Sequence, residues 1–444
     1  MKSTISHLLT GLFICSVLVM SSCKKDKCVQ TMTYTTYVPV YLNYTDMRNG
    51  VKAGAAQPLK NPGKIYLNGK YIFVNEVSQG IHVIDNSNPA SPQNVAFINI
   101  PGNVDLAASG NTLYADNYVD LLAFNITDIN NITLAKRIQY ALPYNYGTGG
   151  YGVDTTQGVV TSWQSKLVTE KMNTDCSRSN NRIMPMCGGG PMYYNGGGGV
   201  AQPGVALNVS ANTSGPTNAV TTAPGTGGST ARFAVAGNTL YIVDNATLHV
   251  YDITNATNPQ YSNDQNIGWN IETIFPYGQH LFIGSAAGFY IYDISNPHNP
   301  AQVSLYNHIT ACDPVVVDNH YAYFTLNSGA PCDQGINELE VVDISNMASP
   351  TLVVDVPMTS PKGVGVDGQT LFVCDQGAGL KVYNTANISN LQNSMIAQFS
   401  NINSFDVIPF NKDLIMVGSG GLYQYNYSNV QNITLMSTIP VSNN

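Results

Sequence analysis

The chain has 444 residues, a formal net charge of −8 and only 10% charged side chains, against roughly 25% in an average globular domain. An acidic, charge-poor chain lacks the clustered Lys and Arg that nucleic acid and anionic lipid surfaces recruit, so neither is an expected partner. Its 40 glycines and 27 tyrosines, with abundant Asn and Thr, fit an exported, rigid, turn-rich all-β protein.

At the amino terminus Lys2 precedes an apolar run from Leu8 to Met20, which ends in Met20-Ser-Ser-Cys23. A short positive region, an apolar stretch and small residues make a secretory signal over 1–22; a transmembrane span needs about 20 apolar residues. Its removal takes away Lys2 and no acid, leaving a mature charge of −8 − 1 = −9. Val17-Leu-Val-Met20 ahead of Ser-Ser-Cys23 resembles the bacterial lipobox. That resemblance implies cleavage before Cys23, lipidation of Cys23 with palmitate, and attachment to the membrane through that lipid. No Asp follows the cysteine directly, so the enterobacterial inner-membrane retention signal is absent and an outer-membrane lipoprotein is expected. Lys24-Lys-Asp-Lys27 resembles the surface-export tag of Bacteroidota lipoproteins; a solvated linker is the other reading, so surface and periplasmic orientations both stay open. Residues 23–60 read as the lipidated tether and an N-terminal strand segment.

From residue 61 onward one phrase recurs. Its fullest copies are Gly237-Asn-Thr-Leu-Tyr-Ile-Val-Asp244 followed by Leu248-His-Val-Tyr-Asp-Ile-Thr-Asn255, and Gly278-Gln-His-Leu-Phe-Ile-Gly284 followed by Phe289-Tyr-Ile-Tyr-Asp-Ile-Ser-Asn296. The closing position of the second strand falls at Asp85, Asn125, Asp252, Asp293, Asp343, Asn384 and Asn426. Spacings of 125 − 85 = 40, 293 − 252 = 41, 384 − 343 = 41 and 426 − 384 = 42 give the length of one four-stranded propeller blade. The step of 343 − 293 = 50 holds a longer turn around Ser328-Gly-Ala-Pro-Cys332. A shorter apolar strand, such as Arg232-Phe-Ala-Val-Ala236, precedes each glycine, and a fourth, such as Thr351-Leu-Val-Val-Asp-Val356, follows each Asx-rich turn. Each unit cannot bury its own apolar face, but ringed copies can. The prediction is an all-β, seven-bladed β-propeller of about 42-residue repeats, spanning 61–444 and interrupted by one Gly-rich insertion at 145–228.

Ile81-His-Val-Ile-Asp-Asn-Ser-Asn-Pro89, Val250-Tyr-Asp-Ile-Thr254 and Leu339-Glu-Val-Val-Asp-Ile-Ser-Asn346 resemble the LVIVD-repeat family, β-propeller proteins of bacterial and archaeal cell surfaces. The blocks Tyr71-Ile-Phe-Val-Asn-Glu76 and Leu113-Tyr-Ala-Asp116 look like it too. The resemblance covers about 61–144 and 229–444. It implies architecture and a surface setting, and it brings no catalytic motif to carry over.

The insertion opens with strand-like Gly158-Val-Val-Thr-Ser-Trp163 and Lys166-Leu-Val-Thr169, expected to extend a blade as a hairpin, and ends in Thr221-Thr-Ala-Pro-Gly-Thr-Gly-Gly-Ser229. Its Gly/Ser/Thr-rich remainder cannot bury enough apolar area to offset chain entropy. A binding excursion and a plain spacer both fit. Cys312 with Cys332 in blade five, and Cys176 with Cys187 in the insertion, are the candidate disulfides of an oxidising compartment. Asn-x-Ser/Thr sequons, Asn43, Asn125, Asn245 and Asn387 among them, read as turn and strand-end residues.

No HExxH, GxSxG, P-loop or EF-hand spacing is present. His82 and His249 hold the same repeat position and are expected to face solvent. Propeller enzymes often hold calcium where the first strands enter the central channel. Five residues before each repeat glycine or its Asn equivalent lie Lys64, Asp105, Arg232, Thr273, Pro314, Gly363 and Asp406. One residue earlier lie Gly63, Val104, Ala231, Glu272, Asp313, Lys362 and Phe405. Asp105, Glu272, Asp313 and Asp406 are the hub candidates for a cation, but Lys64, Arg232 and Lys362 beside them favour salt pairing. Two functions follow. The first is a monomeric, non-enzymatic envelope scaffold that needs no cofactor and binds a protein or glycan. The alternative is a Ca2+-dependent hydrolase or lactonase working at the hub.

Overall fold

The computed structural model describes residues 27–143, 156–175, 225–286, 288–307, 314–328 and 336–442. They fall in two compact units, one within 1–40 and 162–215 and the other comprising 41–161 and 216–444. The described part of the first is a two-stranded sheet of Lys27–Leu42 and Val159–Asp175, with Thr33 Oγ1 and Thr169 Oγ1 3.0 Å apart. The stretch 158–169, expected as a hairpin on a blade, is thus part of one long strand. Its partner lies more than a hundred residues upstream, beyond the reach of a local pattern.

The second unit is a seven-bladed β-propeller. Each blade is an antiparallel sheet of four consecutive strands, running from Pro62–Asn68 in blade one to Thr434–Pro440 in blade seven. Blade one carries two extra strands, Lys52–Ala55 on its outer edge and Thr226–Gly227 on its inner edge. From blade one through blade seven the first strands of successive blades touch around the channel, and blade one's first strand closes the ring against the second strand of blade seven. In all seven blades the fourth strand slips register against the third at the same place, between Val83 and Ile84 in blade one and between Gln424 and Tyr425 in blade seven. Such a bulge adds local twist.

The repeat's Asp or Asn has one task throughout. Its side-chain oxygen accepts the amide hydrogen of the residue two further on: Asp85 from Ser87, Asn125 from Thr127, Asp252 from Thr254, Asp293 from Ser295, Asp343 from Ser345, Asn384 from Ala386 and Asn426 from Ser428. This Asx turn ends the third strand and aims the chain into the fourth. It also explains the sequon at Asn125. The sequon residue Asn43 instead caps the short helix Tyr44–Asn49, accepting from the Asp46 amide.

The core lies between blades. Tyr241, Val243, Leu248 and Val250 of blade three pack on Ile271, Ile274, Leu281 and Ile283 of blade four. Equivalent clusters join each later pair. Each such side chain contributes about 1.5–3 kcal/mol on burial, so inter-blade packing outweighs the turns. Among the described residues the ring closes without strand exchange. Leu59, Ile65, Ile72 and Ile84 meet Ile408, Ile415, Val417 and Leu422, Leu59 bridges Val441 in parallel, and the Ser442 amide donates to the Leu59 carbonyl at 2.7 Å.

Candidate functional site

The first strands bring Lys64, Asp105 and Asp406 to the channel, and there the chain meets itself. Residues 225–232 run along the inner edge of blade one as a plug. The Gly225 amide donates to the Ala108 carbonyl at 3.1 Å and that of Gly228 to the Ile65 carbonyl at 3.2 Å. Thr226 and Gly227 pair with Leu67 and Tyr66, and the Tyr66 hydroxyl donates to the Gly225 carbonyl at 3.1 Å. Glycine is required by the closeness of approach. A Cβ at Gly228 would stand 1.9 Å from Asp406 Oδ2, and one at Gly225 would stand 2.4 Å from the Tyr66 ring.

Two hub carboxylates grip this segment. Asp406, 1% exposed, accepts on Oδ1 from the Ser229 amide (3.2 Å), the Ser229 hydroxyl (3.1 Å) and the Val407 amide (3.0 Å), and on Oδ2 from the Thr230 hydroxyl (2.9 Å). Burial raises its pKa, and these donors work against that rise. Ser229 Oγ in turn accepts from the Val364 amide at 3.0 Å, tying in blade six. Asp105 forms an ion pair with Lys64 and accepts the Arg232 amide hydrogen at 2.6 Å. Burial lowers the Lys64 pKa, opposed by the charge of Asp105.

The remaining hub candidates go elsewhere. The Glu272 backbone carbonyl accepts from Arg232 Nε at 3.0 Å. Lys362, its pKa lowered by burial, donates to Asn327 Oδ1 at 3.1 Å. Asp313 lies outside the described residues, as do Cys23 and the cysteines at 176, 187, 312 and 332. Cys374 is a buried free thiol that accepts from Ser404 Oγ at 3.1 Å. Three cavities of about 260, 300 and 550 Å³ border the plug, walled by Phe233, Ile274, Phe275, Val316, Pro409 and Phe410 among others. The 300 Å³ cavity also presents Ser229, Asp318 and Asp367, and the 550 Å³ cavity Asn68, Lys70 and Asn111.

The two histidines correct the sequence expectation. Both are buried, at 0% exposure for His82 and 1% for His249. His82 Nε2 lies 2.9 Å from Glu76 Oε2, and burial lowers its pKa although Glu76 opposes the shift. His249 has two carboxylates, Asp244 Oδ2 at 3.0 Å from Nε2 and Asp264 Oδ1 at 2.9 Å from Nδ1. Burial disfavours the charged ring, but the hydrogen bonds and charge of both Asp residues outweigh it and carry the pKa to about 9. One carboxylate does not overcome burial here; two do. A second cluster missing from the sequence reading is Asp120, fully buried. It takes Arg48 Nε at 2.9 Å and Arg137 Nη1 at 2.9 Å, with the Tyr140 amide on its other oxygen at 3.0 Å.

Four stretches, 62–98, 227–264, 272–308 and 332–357, match the family model described as the LVIVD repeat. The chain carries LVIVD repeats. They fall in blades one, three, four and five. Among curated protein sequences none matches the chain. Among solved structures, PorZ of Porphyromonas gingivalis, a bacterial surface component of the type-IX secretion system, is similar at 12% identity and TM-score 0.47, over 88% of this chain and 39% of that one. BamB from Moraxella catarrhalis is similar at 9% identity and TM-score 0.45, over 88% and 92%. A Lactobacillus plantarum protein is similar at 12% identity and TM-score 0.49, over 85% and 98%.

Proposed function

We propose that this LVIVD-repeat propeller is a non-enzymatic scaffold of the bacterial envelope, held at the outer membrane by lipid on Cys23 and binding a protein or glycan partner. The observation that carries this reading is the plugged hub. Asp406 spends both oxygens on Ser229, Thr230 and Val407, and Asp105 is committed to Lys64 and the Arg232 amide. Carboxylates so engaged are not arranged to share a calcium ion, which takes 6–8 oxygens. Binding then belongs to the outer surface, where Trp269, 81% exposed, offers the aromatic area that dominates many interfaces.

The enzymatic alternative is tested with a panel of lactone and ester substrates in saturating Ca2+. The scaffold reading expects no turnover above buffer. Turnover that disappears in Asp105→Asn and Asp406→Asn, with the fold retained, would contradict it. Anchoring is tested separately by labelled palmitate. Label is expected on the wild-type chain and not on Cys23→Ala, and equal labelling would remove the lipoprotein assignment.

A further inference from the structure

The plug pairs with one wall of the channel and leaves other strand edges open. Thr226 pairs with Leu67 and Gly227 with Tyr66, and the Gly228 amide donates to the Ile65 carbonyl at 3.2 Å. Antiparallel hydrogen bonds alternate along a strand. Ile65 and Leu67 therefore spend their main-chain groups on the plug, while Gly227 turns its own N–H and C=O away from blade one. Gly227 lines the cavity of about 300 Å³, whose other walls include Val317 of blade five, Val366 of blade six and Pro409 of blade seven.

The same alternation orients those three residues. Each directly precedes the pair that closes a two-residue hairpin: Asp318 with Tyr321, Asp367 with Thr370 and Phe410 with Asp413. The closing pair exchanges ladder hydrogen bonds, so the residue before it turns its main-chain groups to the channel. Two neighbours confirm the phase. Val364, two residues before Val366, donates its amide to Ser229 Oγ at 3.0 Å, and Ile274, two before Pro276, donates to the Ala231 carbonyl at 2.8 Å. Pro276 and Pro409 hold this position in blades four and seven, as a site outside the ladder permits. Among the described residues the inward main-chain groups of Gly227, Val317 and Val366 meet no hydrogen-bond partner.

We propose that this slot binds an extended stretch of another polypeptide carrying a basic residue, hydrogen-bonded through its main chain to the open edges at Gly227, Val317 and Val366. The plug is the precedent, because the channel already holds one extended segment by main-chain bonds to Ile65, Ala108 and Ile274. A peptide supplies donors and acceptors in alternation at strand spacing, and Phe275, Ile408 and Pro409 offer apolar contact to its side chains. Asp318 lines the same cavity and has no basic partner among the described residues, which favours a cationic side chain beside it. Asp367 is already paired with Lys412. Thr226 is exposed and Ser229 is buried, so the slot is entered from the Thr226 end and closed where Asp406 grips the plug. The site is additional to the outer surface around Trp269 and stands whether or not the scaffold reading holds.

The test selects a phage-displayed library of linear peptides against the folded full chain and measures the enriched peptide, made synthetically, by calorimetry. We expect one-to-one binding by a sequence that contains Lys or Arg. Val317→Pro and Val366→Pro each copy the proline already present in blades four and seven, and each should weaken binding about tenfold with the circular dichroism unchanged. Asp318→Asn should weaken it at low salt and not at high salt. On the wild-type protein, N-methylation of alternate peptide residues should abolish binding while methylation of the intervening residues is tolerated, an arm that needs no variant to fold. The proposal falls if no peptide is enriched or if N-methylation has no effect. It falls equally if binding is lost in Trp269→Ala but kept in both proline variants, which would place the peptide on the outer surface. Binding of an oligosaccharide from a glycan array with the same proline sensitivity would overturn it in favour of a sugar site.

Discussion

Replacing His249 with Gln should flatten the alkaline limb of the protein's stability curve. In the folded chain the ring titrates at about 9, against roughly 6.5 when unfolded. A base whose folded pKa is raised adds stability that is fully present below the unfolded value and lost as pH climbs through the folded one. The loss thus runs from about pH 6.5 to pH 9 and beyond. The difference of about 2.5 pH units corresponds to about 3 kcal/mol. Asp264 is 44% exposed, so its part is screened by solvent and about 2 kcal/mol is the better expectation. The buried Asp244, 1% exposed, supplies most of that. Urea unfolding at pH 6.5 and pH 9.5, followed by far-ultraviolet circular dichroism, measures it. The wild type should lose about 2 kcal/mol more than His249→Gln between the two conditions. Equal losses, or a wild type that gains stability with pH where the variant does not, would refute the assignment of a charged, doubly paired imidazolium.

His82 predicts the opposite slope: its lowered folded pKa makes the wild type lose stability as pH falls below about 6.5, and His82→Gln should remove that acid sensitivity in the same urea series. Asp120→Ala leaves Arg48 and Arg137 without their shared carboxylate and should cost about 3–5 kcal/mol, read as a fall in the urea midpoint at unchanged slope. Asp293→Ala deletes one Asx turn, in which the Ser295 amide donates at 2.6 Å, and should cost about 1 kcal/mol by the same measurement. Gly228→Ala drives a methyl group into Asp406 and should cost about 1–3 kcal/mol, with the larger effect on proteolytic sensitivity near residue 228.

The ring was legible in the chain because each blade repeats one turn chemistry. Asp293 and its counterparts must accept the amide two residues on, and that need stamps an Asx every 40 or so residues. The histidines were misread for a reason specific to propellers. Alternation usually separates a buried from a wet face, but a blade is covered by neighbours on both sides. The off-phase positions His82 and His249 therefore lie between blades, and polar residues there need partners. The acids at Glu76 and Asp244, at matching ends of the second strands, were the available signal. The plug was hidden by an ambiguity of glycine. Gly225-Thr-Gly-Gly228 has the composition of a flexible linker, and also that of backbone pressed against a wall. Only the distances to Tyr66 and Asp406 separate the two. The hub basics were legible as a set, whereas the choice of Asn327 by Lys362 depends on geometry that no spacing encodes.

Hydrogen–deuterium exchange of the native full-length chain across residues 225–232 tests the plugged hub most directly. The amides of Gly225, Gly228, Ser229, Ala231 and Arg232 all donate to acceptors in or beside the channel. Protection comparable to that of the blade strands is predicted, with loss of protection at Ser229 in Asp406→Asn. Exchange of this segment at the rate of an open loop in the wild type would contradict the plug, and with it the argument that the hub is closed to chemistry.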